Sequence, residues 1–209
     1  MAWNIEEYSV TLRLTQKWLG TVPTQSSIWT EHIATKQSKG MKKDGLSEEE
    51  IEQRLADTLE GVQEIDELKS GLTSFLKDEQ GYYVEGYVLK GYFKNAARQL
   101  KQWGALKQLQ SKVTNYLFIA QRKVYVATPD AQLLLVERPI RCETAQGPRT
   151  AIARSEAVPE GTEVSFTVQL LHGVIPLTLL RELLDYGQYQ GVGQWRTGNC
   201  GTFDVVSCE

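Results

Sequence analysis

The 209-residue sequence predicts an α+β domain of ferredoxin-like topology. Strand-like alternation opens and closes the chain, amphipathic helices follow the first strand and precede the last, and a run of strands with one hairpin fills the middle. With one acidic segment set aside as an insertion, the order reads strand, helix, several strands, strand, helix, strand. In that arrangement two helices cover one face of an antiparallel sheet and leave the other face open.

Each element has its own signal. In "YSVTLRL", Tyr8, Val10, Leu12 and Leu14 alternate with Ser9, Thr11 and Arg13, the period of a half-buried strand. Thr15 to Gly45 has little periodicity and reads as a long loop. An acidic helix follows, with Ser47 as its N-cap, Glu50 completing a capping box, and Ile51, Leu55, Leu59, Val62, Ile65 and Leu68 at helical spacing before Gly71. Residues 15–80 are therefore expected to form a loop and helical insertion within a single domain spanning residues 1–209. "GYYVEGYVLKGYFKNAARQLKQWG" opens with turn glycines and turns helical near Val88, with Leu89, Tyr92, Phe93, Ala96, Leu100 and Trp103 on one face. "NYLFIA", "KVYVAT" and "QLLLVERPIRCE" read as strands. A turn at Gly147 and Pro148 makes a hairpin with Arg138 and Arg141 on one arm and Arg149 and Arg154 on the other. "TEVSFTVQLL" is a further strand, and "PLTLLRELLDYG" a helix opened by Pro176 and closed by Gly187, with Leu177, Leu180, Leu183 and Leu184 inward. "TFDVV" ends the set as a strand.

Apolar residues make up 41% and charged residues 23% of the chain, the proportions of an ordinary globule, which excludes disordered and fibrous classes. The longest apolar runs are too short for a membrane span, and "MAWNIEEYSV" lacks the basic and apolar regions of a signal peptide, so a cytoplasmic protein is expected. The three cysteines, Cys142, Cys200 and Cys208, form no CxxC pair, and their spacing with His172 matches no zinc pattern. Neither a metal nor a cofactor is expected.

A net charge of −3 hides a sorted distribution. Acidic residues dominate Leu46 to Gln80, whereas Gly86 to Pro129 contains no Asp or Glu. Within that basic stretch Lys90, Lys94, Arg98 and Lys101 share a helical stripe about 80° wide. Like charges gathered this way disfavour the helix unless an external anion offsets them, while a plain solvated lysine face is the alternative. A second feature points the same way. "GVGQWRTGNCGTFDV" gathers Gly191, Gly193, Gly198 and Gly201 around Trp195 and Arg196 before the final strand. Glycine is costly to order, so such a cluster marks positive φ or close approach. Either a nucleotide backbone approaches, with loop amides forming an anion nest, Arg196 pairing with phosphate and Trp195 stacking on a base, or the glycines only allow a tight helix-to-strand crossing over a buried Trp195.

The ordered set "YVLKGYFKNAARQL", "RPIRCETAQGPRTAIARSE" and "YGQYQGVGQWRTGNCGTFDV" resembles the RAMP superfamily of CRISPR-associated RNA-binding proteins. It also resembles a group of bacteriophage proteins over nearly the whole chain. The resemblance implies a ferredoxin-like, RRM-like core that binds single-stranded RNA, or another oligonucleotide, often as a homo-oligomer of stacked copies. As a phage-encoded member it would act in the host cytoplasm. Some RAMP proteins cut RNA with a histidine base or a loop aspartate. Here His32 is the only candidate, with no Tyr, Lys or second His at a recognisable spacing, and Asp44 does not sit in a cleavage-like loop. Binding without catalysis is expected. The alternatives are a counter-defence or assembly protein that docks a host or phage protein through the acidic helix, and a metal-independent ribonuclease that depends on His32.

Overall fold

The computed structural model describes residues 4–23, 72–144 and 147–209. The first strand, β1 (Ile5–Leu14), alternates as its sequence demands, with Val10, Leu12 and Leu14 buried and Ser9 and Arg13 exposed. It pairs antiparallel with β11 (Glu163–Leu171) on one side and β12 (Phe203–Cys208) on the other. β7 (Leu117–Ile119) adds antiparallel to the far edge of β11, so the sheet order is β12-β1-β11-β7. Counting these strands in chain order gives fourth, first, third, second, compatible with a ferredoxin-like arrangement.

Two helices pack on the inward residues of this sheet. α1 (Gly86–Leu100) buries Leu89, Tyr92, Phe93, Ala96 and Ala97, and α3 (Leu177–Asp185) buries Leu179, Leu180, Leu183 and Leu184. They meet Val10, Leu12, Phe166, Val168 and Phe203 in one cluster, where Phe93 and Phe166 are edge to face at 6.5 Å. Each such fully buried large side chain contributes about 1.5–3 kcal/mol of apolar transfer. Tyr92 sits among them and still satisfies its hydroxyl, which donates to the carbonyls of Leu183 (2.7 Å) and Leu184 (3.2 Å) in the last turn of α3. On the opposite face polar side chains pair across the strands. Thr11 meets Ser165, Arg13 forms an ion pair with Glu163 at 2.7 Å, and the Gln169 amide donates to Glu7.

Two further sheets, of five and three strands, accompany this one. One contains β2 (Trp18–Leu19), β3 (Val22–Pro23), β4 (Leu72–Ser74), β9 (Leu134–Thr144) and β10 (Gly147–Val158). The other contains β5 (Leu76–Asp78), β6 (Gly81–Glu85) and β8 (Lys123–Ala127). In the β5–β6 turn, Asp78 accepts the backbone N–H groups of Gln80 and Gly81, and its other oxygen takes Lys123 at 2.7 Å and Tyr125 at 3.0 Å.

The structure corrects several sequence expectations. "GYYVE" is the strand β6, and the helix begins at Gly86, not near Val88. Leu100 is 37% exposed, and Trp103 lies beyond the helix in a bridge to Leu106. A helix, α2 (Leu109–Tyr116), takes up Asn115 and Tyr116, which the sequence predicts as strand, because Leu109 and Val113 give one short apolar stripe. On α3 Leu179 is buried beside Leu180, Leu183 and Leu184, and Leu177 packs against the core only half-buried. Trp18, Leu19, Val22 and Pro23 are strand residues, not loop; two-residue strands show no period. Gly147 and Pro148 belong to β10, with Gly147 opposite Thr144. The acidic helix, His32 and Asp44 lie outside the described residues. Among the described residues no helix is long and apolar enough to cross a membrane.

Candidate functional site

The cationic stripe occupies the flank of α1 left over once its apolar face is buried. Lys90 is the innermost member. Its Nζ stands 4.2 Å from the centre of the Phe118 ring and has no hydrogen-bond partner. Burial, and then the charge of Lys94, push its pKa down from 10.5 to about 8. Lys94 is half-buried, and Arg98 and Lys101 are exposed. Among the described residues no carboxylate lies within ion-pair distance of Lys90, Lys94, Arg98 or Lys101.

The stripe is wired to the segment after α3. The Arg98 guanidinium donates to Asn95 Oδ1 at 2.8 Å, and the Asn95 amide donates to Gln190 Oε1 at 2.6 Å. The same oxygen accepts the Tyr186 hydroxyl at 2.8 Å. Gln190 immediately precedes the glycine loop, so helix flank and loop form one continuous surface.

The chain itself fills the space beside the loop glycines. A Cβ on Gly191 would lie 2.0 Å from the Gly201 carbonyl carbon, and one on Gly193, at φ +81°, would lie 2.4 Å from Trp18 Nε1. At Gly198 it would strike the Trp195 ring at 2.6 Å. Trp195 is nevertheless not sealed in, being 47% exposed. Its ring lies under the Arg138 guanidinium, 4.9 Å from carbon to centroid, and Arg138 Nη2 donates to Gln194 at 2.9 Å. Arg138 Nη1 is buried with no partner. Arg196 is half-buried beside it in the chain, within a short 3₁₀ turn, Arg196–Gly198.

The hairpin does not present its arginines together. Register pairs Arg154 with Glu137 and Arg138 with Ala153, which puts Arg138 and Arg154 on opposite faces of the ladder. Arg154 is held by Glu137 at 2.8 Å, while Arg138 turns to the glycine loop. Arg141 is exposed further along its arm, and Arg149 is paired in register with Cys142. The structure thus joins Arg138, Trp195 and Arg196 near one loop, and Lys90, Lys94 and Arg98 along one flank of α1. Lys101, at φ +64°, caps the helix beyond its last helical residue and does not continue the stripe that the sequence predicts. Arg154 is left neutralised. Sequence reasoning missed Asn95, Gln190 and Gln194, the amides that tie these parts together, because isolated amides carry no periodicity or charge signal.

Cys200 is buried with Leu19 and Ala157, and burial raises its thiol pKa; Cys208, at the end of β12, is raised for the same reason. His172 sits in the turn after β11, and among the described residues no three His, Cys, Asp or Glu side chains gather where a metal ion could be held. The cations of the α1 flank, the Arg138 guanidinium and one half-exposed indole together are suited to holding an extended anion.

No family model matches the chain, and no curated protein matches its sequence. Among solved structures it is similar to a chain of a cryo-EM structure described as the type III-B Cmr-beta bound to cognate target RNA. The TM-score is 0.50 at 11% identity, over 98% of this chain and 60% of that one. The likeness is one of fold. This chain spans about 60% of the length of the chain it matches.

Proposed function

We propose that this protein is a RAMP-type module that binds single-stranded RNA, or another oligonucleotide, without cutting it. The observation that carries the proposal is the α1 flank of Lys90, Lys94 and Arg98, with Lys101 at the helix C-cap, free of ion-paired carboxylates among the described residues and linked through Asn95 and Gln190 to the glycine loop. Strand order and the fold likeness to a chain from an RNA-bound assembly support it. Phosphates would lie along the flank and reach Arg138 and Arg196, with Arg141 and Arg149 further along the hairpin. Gly193 keeps the loop backbone close to the buried Trp18, Gly191 lets it pass close to Gly201, Gly198 leaves room for the Trp195 ring, and Trp195 offers its exposed part to the strand. Stacked copies along one strand would extend the track, and residues 15–80 would be an insertion in this single domain.

The test is fluorescence anisotropy with a labelled single strand over a range of salt. Affinity should fall steeply as salt rises, and Lys94→Gln or Arg98→Gln should each lower the slope of log K against log salt by about 1. Affinity indifferent to salt, or no binding at low salt, refutes the reading.

A further inference from the structure

Next to the glycine loop lies a crevice of about 560 Å³, lined by Thr15, Gln16, Gln188, Tyr189, Asn199 and Thr202 together with Gly198. Its chemistry differs from that of the flank because it contains no charged side chain. The floor is fixed. The Thr15 hydroxyl donates to Thr202 Oγ1 at 2.8 Å, the Thr202 hydroxyl donates to the Asn199 carbonyl at 3.2 Å, and the Thr15 N–H donates to the Thr202 carbonyl at 2.9 Å. The walls are uncommitted. Among the described residues, the side-chain amides of Gln16, Gln188 and Asn199 and the hydroxyl of Tyr189 have no recorded partner. Tyr189 is 77% exposed, and a ring left in water at that level gains nothing for the core.

A site of this composition fits a flat, neutral ligand with donors and acceptors around its edge. Phosphate is a poor match, because no cation lines the crevice. A nucleobase is a good one: each amide offers a donor and an acceptor side by side, the pattern that pairs with base edges, and a tyrosine face stacks any base. The crevice is also adjacent in the chain to the polyanion track, since Gln188 and Tyr189 precede Gln190, the residue bonded to Asn95, and Asn199 follows Arg196 and Gly198. We infer that this crevice receives one unstacked base of the bound strand, which stacks on Tyr189 and is hydrogen-bonded by Gln16, Gln188 and Asn199.

The inference rests on the proposed oligonucleotide binding and is separable from it. Anisotropy titrations at one salt concentration compare labelled oligoadenylate, oligouridylate and an abasic strand of the same length. The wild-type protein should bind the base-bearing strands about tenfold or more tighter than the abasic strand, the scale of one aromatic stack. Tyr189→Ala should cut that difference by about tenfold, the share of one stack, and leave abasic affinity unchanged, and Gln188→Ala should narrow it less. Thermal unfolding of Tyr189→Ala should match the wild type, since the ring is exposed. Equal wild-type affinity for abasic and base-bearing strands overturns the inference, as does a Tyr189→Ala loss that is the same for both. Failure of the wild type to bind any strand overturns the parent reading instead.

Discussion

Glycine to alanine at two positions should move stability in opposite directions, and the pair tests what the glycine loop is for. At Gly193 the backbone sits at φ +81°, and an added Cβ would lie 2.4 Å from Trp18 Nε1, 2.6 Å from its Cδ1 and 2.9 Å from the Leu19 carbonyl oxygen. Trp18 is 1% exposed and Leu19 fully buried, so neither has room to retreat. The left-handed conformation costs an L-residue about 1–2 kcal/mol and the overlap about 1–3 more, for a loss of about 2–5 kcal/mol. At about 2–4 °C per kcal/mol for a chain of this size, the unfolding midpoint should drop by about 4–20 °C. Gly91 is the control. It lies on the exposed side of α1 with no atom within 4 Å of an added Cβ, so alanine there should stabilise the helix by about 0.5–1 kcal/mol and raise the midpoint by about 1–4 °C. The assay is thermal unfolding followed by circular dichroism, alongside oligonucleotide titration of each variant. Should Gly193→Ala melt like the wild type yet lose affinity, the packing account is wrong and the glycine serves the ligand directly.

Tyr92→Phe strips a buried hydroxyl from two carbonyls at the end of α3, and urea unfolding should register a loss of about 1–3 kcal/mol; a change within error would mean water replaces the bond. Asp78 is desolvated, which raises its pKa, but hydrogen bonds from Lys123, the Gln80 N–H and Tyr125 outweigh that and hold it below the ordinary 3.8. A carboxyl depressed on folding contributes stability above its unfolded pKa and loses it as pH falls through the folded one. Acid titration of stability should therefore flatten below about pH 4 in Asp78→Asn relative to the wild type, and superimposable curves would refute the assignment. Lys90 runs the other way round: with a folded-state pKa near 8 instead of 10.5, the unfolded chain binds more protons between those values, so unfolding free energy should rise as pH climbs from 8 to 10.5. Over the same range oligonucleotide affinity should fall as the flank loses a charge, and Lys90→Gln should remove that part of the pH dependence in anisotropy titrations.

Much of the fold is legible in the chain because its signals are local. The period of two in Tyr8 to Leu14 and Val164 to Leu170, and the helical spacing of Leu89, Phe93 and Ala96, state which side of each element is apolar, and burial follows. The cationic stripe is legible for the same reason, since residues on one helix flank stay neighbours whatever the helix packs against. Elements held only by distant partners are not. β2 and β3 are two residues each and exist because β10 and β4 pair with them, and α2 lacks a cap or a long stripe to announce it.

The sequence by itself determined the α+β class, the apolar faces, the run of like charge on α1 and the need for unusual backbone at the glycine loop. Only the tertiary structure decided what the glycines face, because a close approach has two sides and the second, Trp18 or Gly201, is far away in the chain or across a turn. It likewise separated Arg138 from Arg154, since a ladder's register settles which residues share a face, and it joined Asn95 to Gln190 across the folded core. Those outcomes rest on contacts between segments whose sequences carry no mark of one another.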